Sequence, residues 1–333
     1  MQFFKAANHS RFGPVPSFDP ALDDGELAAA RDAARWGDWQ PARDVLAAAY
    51  GDWERRAHRV NVLGEFAAGH PKWLDAWSTA EPTNAALAVV RARTEIARAW
   101  NARGGGWASQ TSDRAFRTFA QILNRAEGLL DRATELAFDD PSPWIWYLWL
   151  SIGREEPWPV FDHRWSELVA RDPHNYLGHE ARFQRTCRKW AGSHERMYEF
   201  CRAAAESAPP GSPVAVLPLQ AHFEVDLWER GRGESRAKGM AAAVRLWRSD
   251  QVREDINIAT ERWLGGGAPT HALAMKTRSV LARALTMADR HREAATHFAA
   301  IGPYVSDYPW YYEDSGAREG FLRARKRAVV AAS

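Results

Sequence analysis

A short segment near the middle of the chain gathers residue types that bind anions and carbonyl groups: Lys189, Trp190, Ser193, His194 and Glu195. A cation and an indole beside a helix N-terminus can hold a negative group, because the first N–H groups of the helix point at it. The start of a helix by itself explains Ser193 as N-cap and Glu195 in the first turn, but not the other three residues. The segment therefore predicts a capped and packed helix start, with a ligand site as the less common alternative.

A second set of candidate residues follows the triplet Gly104–Gly106 and consists of Trp107, Ser109, Gln110 and Thr111. Loops on a rigid helical frame often carry recognition, because the frame positions their side chains. Trp107 and Gln110 are therefore candidate ligand-binding residues. The alternative is that Trp107 only packs the loop onto the helices.

The chain contains 17 Trp residues, several of them in one predicted helix. Trp146 and Trp149 lie three positions apart and share a helix face. Part of this aromatic run must be core, and the rest can line a groove for an apolar or aromatic ligand, which makes Trp146 a candidate. A second run is interpreted as part of a capping segment that shields the last repeat from water: Tyr304, Tyr308, Trp310, Tyr311 and Tyr312.

The charge pattern argues against a nucleic-acid partner. The formal net charge is only +2, so no global field attracts nucleic acid or an anionic membrane. A basic run near the C-terminus is typical of a solvated helix face; it consists of Arg318, Arg323, Arg325, Lys326 and Arg327.

Motifs of catalysis and of metal binding are absent from the sequence. There is no G-x-S-x-G elbow, no P-loop and no dinucleotide-binding G-x-G-x-x-G after a strand. His179 and His194 each begin the zinc pattern H-E-x-x-H, but Phe183 and Tyr198 occupy the position of the second His. We therefore expect no metal and no cofactor, and a non-catalytic function is favoured.

The cellular compartment is predicted from three features. The N-terminus lacks the continuous apolar stretch of a secretion signal, and no run of 18 apolar residues occurs that would span a bilayer. Cys187 and Cys201 are too few for a disulfide framework and are interpreted as buried thiols. We expect a cytoplasmic protein with no membrane contact.

Helices must position all of these candidates, because strand signals are almost absent and helix punctuation is dense. Asp19 and Pro20 predict a first helix that runs to Trp36, and Gly37 breaks it before a second helix near 39–49. Further Gly and Pro breaks divide the chain into segments of roughly 10 to 25 residues. The fold class is therefore predicted to be all-α.

The helices match the tetratricopeptide repeat (TPR), a 34-residue helix–turn–helix unit, best near the C-terminus. Ala282 and Ala294 take the positions where helices approach closely, and Phe298 fills the groove that remains. Because the 34-residue phase slips elsewhere, we predict a degenerate TPR-like α-solenoid of antiparallel helix hairpins, and leave open whether it is curved or closed. The predicted parts are an extended segment over 1–18, the repeat domain over 19–303, and a capping helix and tail over 304–333.

Two segments, 74–109 and 172–213, resemble an uncharacterised TPR-like family of bacterial proteins. The resemblance spans about 70–230, and the string Lys-Trp-Ala-Gly-Ser-His-Glu at 189–195 is its most specific part, with Ala191 where a second Gly is expected. The resemblance implies a TPR-like fold and implies no activity.

Two functional hypotheses follow. The first is a binding or scaffold protein whose concave helical groove takes a peptide or a protein partner. The alternative is an enzyme or a small-molecule-binding protein with a pocket around Lys189, Trp190, His194, Glu195 and Trp107. A pocket of that kind requires the polar groups to converge on a common point.

Overall fold

The computed structural model describes residues 11–106, 110–232, 235–265, 267, 270–313 and 315–333. Over these ranges the chain forms 16 α-helices and no strand, which confirms the all-α prediction. The first nine helices are α1 (Gly25–Arg35), α2 (Gln40–Ala48), α3 (Trp53–Gly69), α4 (Lys72–Ala80), α5 (Ala85–Arg103), α6 (Asp113–Leu136), α7 (Ser142–Gly153), α8 (Trp158–Arg171) and α9 (Tyr176–Thr186). The other seven are α10 (His194–Ser207), α11 (Leu217–Arg232), α12 (Arg236–Trp247), α13 (Asp250–Leu264), α14 (Ala274–Met287), α15 (His291–Ile301) and α16 (Ala317–Ala332).

Contacts divide the chain into two compact units. The N-terminal unit is Asp24–Ala191, and the C-terminal unit joins the chain up to Asp23 to Gly192–Ser333. The N-terminal unit thus holds α1 to α9 and the C-terminal unit holds α10 to α16. None of the described helices is both long enough and apolar enough to cross a bilayer.

The start of the first helix differs from the prediction. Asp19 Oδ1 accepts the N–H of Ala21 at 2.9 Å in a turn, and Leu22, with φ +57°, interrupts a helical backbone. Helix α1 begins at Gly25, where the Asp24 carboxylate accepts the N–H of Leu27 at 3.0 Å. The prediction that Asp19 opens this helix is therefore wrong, because a second acidic cap follows five residues later.

Other predicted helix boundaries are confirmed. Gly37 has φ +94° and separates α1 from α2, which lies within the predicted 39–49. Ser193 caps α10, since its side chain accepts the N–H of Arg196 at 3.2 Å. Gly104 ends α5 with φ +78°, a left-handed conformation that glycine adopts without strain.

Buried arginines hold the helices of the N-terminal unit together. Arg59, 3% exposed, donates to the Asp24 carboxylate at 2.8 Å and so ties α3 to the cap of α1. Arg56 pairs with the buried Asp140 and donates to the carbonyl of Leu46 at 2.7 Å. A buried guanidinium needs such partners, because leaving the charge unpaired would cost several kcal/mol. Part of the high arginine content therefore serves packing between helices.

The C-terminal unit is built around α11, whose residues Gln220, His222 and Phe223 are buried. Helices α14 and α15 pack on each other, and Ala282 and Ala294 are fully buried at the predicted close-approach positions. A 3-10 helix, Trp310–Tyr312, precedes α16.

The segment before Asp23 is held by α16. Arg325 donates to the carbonyl of Pro14 at 2.8 Å, and Arg318 donates to the carbonyl of Pro16 at 3.0 Å. The backbone of Ser17 also forms an isolated parallel β-bridge with that of Tyr304. Two arginines of the predicted basic run therefore bind backbone carbonyls; Arg325 is buried, whereas Arg318 stays exposed.

Candidate functional site

The sequence-predicted cluster at 189–195 is divided between the two units. Lys189 and Trp190 lie in a 3-10 helix of the N-terminal unit, whereas His194 and Glu195 open α10 of the C-terminal unit. Lys189 and Glu195 are exposed, and Trp190 and His194 are half-buried. The ring of His194 meets the ring of Trp228 edge-on at 6.1 Å, a packing contact within its own unit.

Within the N-terminal unit, Trp190 lies beside the base of the loop that carries the second predicted set. The guanidinium of Arg103 stands 5.4 Å above the Trp190 ring and donates to the carbonyls of Gly104 and Gly106 at 3.1 and 3.2 Å. The side chain of Gln110 is exposed, and its amide oxygen lies near Gly106. Trp107 and its neighbour Ser109 lie outside the described residues.

Trp146, the remaining predicted candidate, lies in the core. Its side chain is 3% exposed, and the guanidinium of Arg93 stacks 4.4 Å above its ring. Helix α7 is buried on nearly all sides, with Ile145 and Leu148 also fully buried. Trp146 therefore offers no exposed surface to a ligand in this structure.

A groove of about 310 Å³ lies within the C-terminal unit and is lined by residues of α12, α14 and α16. On α12 the lining residues Met240 and Val244 are 43% and 46% exposed, while Trp247 is buried. On α14 the lining residues are Arg283, Thr286 and Met287. Met240 and Val244 lie one helical turn apart, so their exposed apolar atoms form one small patch on this wall.

The third wall of the groove is α16, which contributes Gly320, Arg323, Ala324 and Arg327. A Cβ at Gly320 would collide with the side chain of Glu313. Gly320 thus makes room for the Glu313 carboxylate, which pairs with Arg283 of α14 and with Arg323 at 3.2 Å. This carboxylate therefore links the α14 and α16 walls of the groove.

Positive charge predominates around the groove. Its lining includes five arginines and two carboxylates, Asp289 and Glu313. Burial lowers the pKa of the Arg283 guanidinium, and the pairing with Glu313 opposes that shift and keeps the charge in place. Arg248 and Arg327 are exposed and have no carboxylate partner within the described part of the chain. These two side chains are therefore available to an anionic ligand.

A wider groove of about 640 Å³ adjoins the first and shares Trp247, Arg248 and Asp289 with it. Its other lining residues include Asn257 and Arg290, whose side chains are joined by a hydrogen bond of 2.8 Å. The two grooves therefore meet at Trp247, Arg248 and Asp289.

A buried polar network contacts the side chain of Trp247. Its indole N–H donates to Asp226 at 3.1 Å, and its ring packs against His222 at 6.1 Å. His222 Nε2 lies 2.9 Å from the Asp255 carboxylate, and Nδ1 lies 2.7 Å from the hydroxyl of Tyr198. Because an ionised carboxylate can only accept, Nε2 carries a proton and donates it to Asp255, while Nδ1 shares a hydrogen bond with the Tyr198 hydroxyl.

The ionisation of this network follows from its burial and its partners. Burial by itself would raise the pKa of Asp255, but hydrogen bonds from His222 and Arg202 lower it below the ordinary value. Burial raises the pKa of Tyr198, so its hydroxyl stays protonated. A charged carboxylate and a neutral phenol therefore fix the orientation of the His222 ring. This ring in turn packs against Trp247.

A metal centre is not indicated by the side chains that the structure describes. No group of three or more His, Cys, Asp or Glu residues among them has the arrangement to hold an ion. Cys187 and Cys201 are both buried thiols.

The groove was not predicted from the sequence. Arg323 and Arg327 were interpreted as part of a solvated face, and Met240 and Val244 were not singled out. The signal that would have found them is their spacing: each pair lies four positions apart, and thus on one helix face. The spacing does not reveal that these faces of α12 and α16 line the same groove.

Comparisons with known proteins gave no match: no family model matches the chain, and neither does a curated protein or a solved structure. The chemistry of the groove therefore carries the functional proposal.

Proposed function

We propose that the chain is a non-catalytic binding protein whose groove between α12, α14 and α16 binds a peptide segment of a partner protein. The observation that carries this proposal is the exposure of Met240 and Val244 in a groove whose α16 wall presents Arg323 and Arg327. Apolar contacts supply most of the free energy of peptide binding, while charges at the rim select the partner. The groove offers both.

The same unit supports a TPR-like arrangement of its helices, which we propose as the fold family. The α14–α15 pair has small buried residues at its crossing and Phe298 beside them, as TPR units require. Stacked helix hairpins present concave surfaces that suit peptides. We also propose a cytoplasmic location, because buried thiols such as Cys187 and Cys201 fit a reducing compartment.

Binding fits the groove better than catalysis does. General acid–base chemistry needs a carboxyl or an imidazole group that is able to reach the substrate. The Glu313 carboxylate is already engaged by Arg283 and Arg323. The Asp289 carboxylate and the His291 imidazole also line the groove and are engaged with each other at 3.0 Å. The remaining charged groups of the lining are guanidinium groups, which do not exchange protons near neutral pH.

The test uses a phage-displayed library of random 12-residue peptides, selected on the wild-type protein and then synthesised with a fluorescent label. Affinities for these peptides are measured by fluorescence anisotropy against wild type and against Val244→Gln. The substitution removes half-exposed apolar surface from the groove and keeps a good helix former. Fully burying a valine side chain contributes about 1.5–3 kcal/mol. Because Val244 is already about half-buried, a ligand gains about 1 kcal/mol from covering it, and we expect binding to weaken about fivefold.

The matched control is Val330→Gln on α16, where the valine is 57% exposed and lies outside the groove lining. This variant should bind the selected peptides as wild type does. Equal affinity of the wild-type and Val244→Gln proteins, or an equal loss in both variants, would contradict the proposed groove.

A further inference from the structure

The α12 wall presents a stripe of side chains along one helix face. Met240, Val244, Trp247 and Arg248 occupy positions i, i+4, i+7 and i+8. At 1.5 Å per residue the stripe is about 12 Å long, or a little over two helical turns. Its first three members are apolar and its last is a cation.

The α16 wall has a slightly shorter stripe of different chemistry. Gly320, Arg323, Ala324 and Arg327 occupy positions i, i+3, i+4 and i+7, which span about 10 Å. Two small residues alternate with two guanidinium groups. A ligand that lies in the groove therefore meets an apolar wall on one side and a cationic wall on the other.

The backbone of these walls determines which shape of ligand fits. All three walls are α-helices, so their N–H and C=O groups are bonded within each helix and do not pair with an extended strand. An extended peptide would leave its own backbone groups without partners in the groove, whereas a helix satisfies them internally. The walls therefore favour a helical ligand.

The apolar part of the lining suits a helix whose contact side chains are aliphatic. Met240 and Met287 both line the groove, and methionine side chains are flexible and polarisable, so they adapt to leucine-like partners. Arg248 and Arg327 have no carboxylate partner within the described part of the chain, and carboxylates on the partner would give electrostatic complementarity to them.

From these features we propose that the occupant of the groove is an acidic amphipathic helix of a partner protein. Its apolar stripe lies on Met240, Val244 and Met287, and its flanking Glu or Asp side chains pair with Arg248 and Arg327. This inference rests on the proposed peptide-binding function and adds the shape and the charge of the partner.

The probes are four labelled 16-residue peptides. The first is an acidic helix with Leu at i, i+4, i+7 and i+11 and with Glu and Ala elsewhere. The second has the same composition in scrambled order, the third has Lys in place of Glu, and the fourth has Pro at two central Ala positions. We expect the full-length protein to bind the acidic helix at least tenfold more tightly than each of the other three, measured by fluorescence anisotropy.

A charge exchange locates the interaction. The double variant Arg248→Glu/Arg327→Glu should bind the acidic helix at least tenfold more weakly than wild type, and should bind the Lys helix more tightly than wild type does. Both arginines are exposed, so the thermal midpoint is expected to stay close to that of wild type. The control Arg117→Glu/Arg245→Glu changes two exposed arginines outside the groove lining and carries the same net charge. It should bind the acidic helix within twofold of wild type.

The outcomes separate the inference from the function on which it rests. If library peptides bind in a Val244-dependent manner but the acidic helix binds no better than its Pro or Lys counterpart, the inference is wrong and the peptide-binding function stands. Equal weakening by the groove variant and by the control would also overturn it, because binding would then follow net charge alone. If no peptide depends on Val244, both proposals fail.

Discussion

At the scale of single residues, burial and local hydrogen bonds determine the pKa values of the carboxylates around Trp247. Asp226 is an example: burial raises the pKa of its carboxyl, while Arg230 and the Trp247 indole oppose the shift. His222 is bonded at both ring nitrogens. These groups stabilise the surroundings of Trp247 and are not themselves displayed to a ligand.

His297 makes stability depend on pH. It is 3% exposed, and burial, assisted by the nearby Arg278 and opposed by Glu293, lowers its pKa from 6.5 to about 4. Between these values the unfolded chain binds a proton that the folded chain does not, so the free energy of unfolding decreases as the pH falls. At about 1.4 kcal/mol per pKa unit, the loss is about 3 kcal/mol.

The measurement is urea unfolding between pH 7 and pH 4 for wild type and for His297→Leu. The variant should show a decrease that is smaller by about 3 kcal/mol. A pH dependence identical in the two proteins would mean that His297 takes up its proton while folded.

At the scale of elements, local rules predicted the helices better than they predicted helix starts. Ser193 is predicted correctly as a cap because it is the one capping residue before its helix. Before α1 both Asp19 and Asp24 satisfy the capping rule, and only Asp24 caps the helix. The burial of Ala282 and Ala294 followed from the spacing of small residues. Close approach at Gly64 could not be predicted, because it depends on which helix packs there.

Two glycines in the N-terminal unit should respond in opposite directions to the same substitution. A Cβ at Gly64 of α3 would stand 2.9 Å from the Cβ of Arg93, whereas at Gly128 of α6 nothing lies within 4 Å. Gly128→Ala should stabilise by about 0.5–1 kcal/mol, because alanine loses less backbone entropy. Gly64→Ala should destabilise by about 1–3 kcal/mol through overpacking.

Thermal and urea unfolding of the two variants check this pair. Stabilisation by Gly64→Ala would show that α3 and α5 are not in close contact at that position. Destabilisation by Gly128→Ala would indicate that another part of the chain packs on the face of α6 that carries Gly128.

At the scale of the whole molecule, the sequence predicted the fold class but not the groove. The residues at 189–195 are close in sequence and were therefore grouped, yet they belong to two different units. The groove joins residues from Arg230 to Arg327, and no local pattern indicates that α12 and α16 border the same space. Tertiary packing creates such a site, so a reading of single segments does not find it.

The central claim is that the groove of the C-terminal unit is the binding surface, and methionine methyl groups test it directly. The chain has five Met residues. Met240 and Met287 line the groove, while Met197 is fully buried and does not.

The measurement is a titration of 13C-methyl-Met-labelled protein with the acidic helix, observed by NMR and assigned with the Met240→Leu and Met287→Leu variants. We predict that the signals of Met240 and Met287 shift and saturate with the binding curve while that of Met197 stays in place. Saturable binding that leaves both groove signals unmoved would contradict the account.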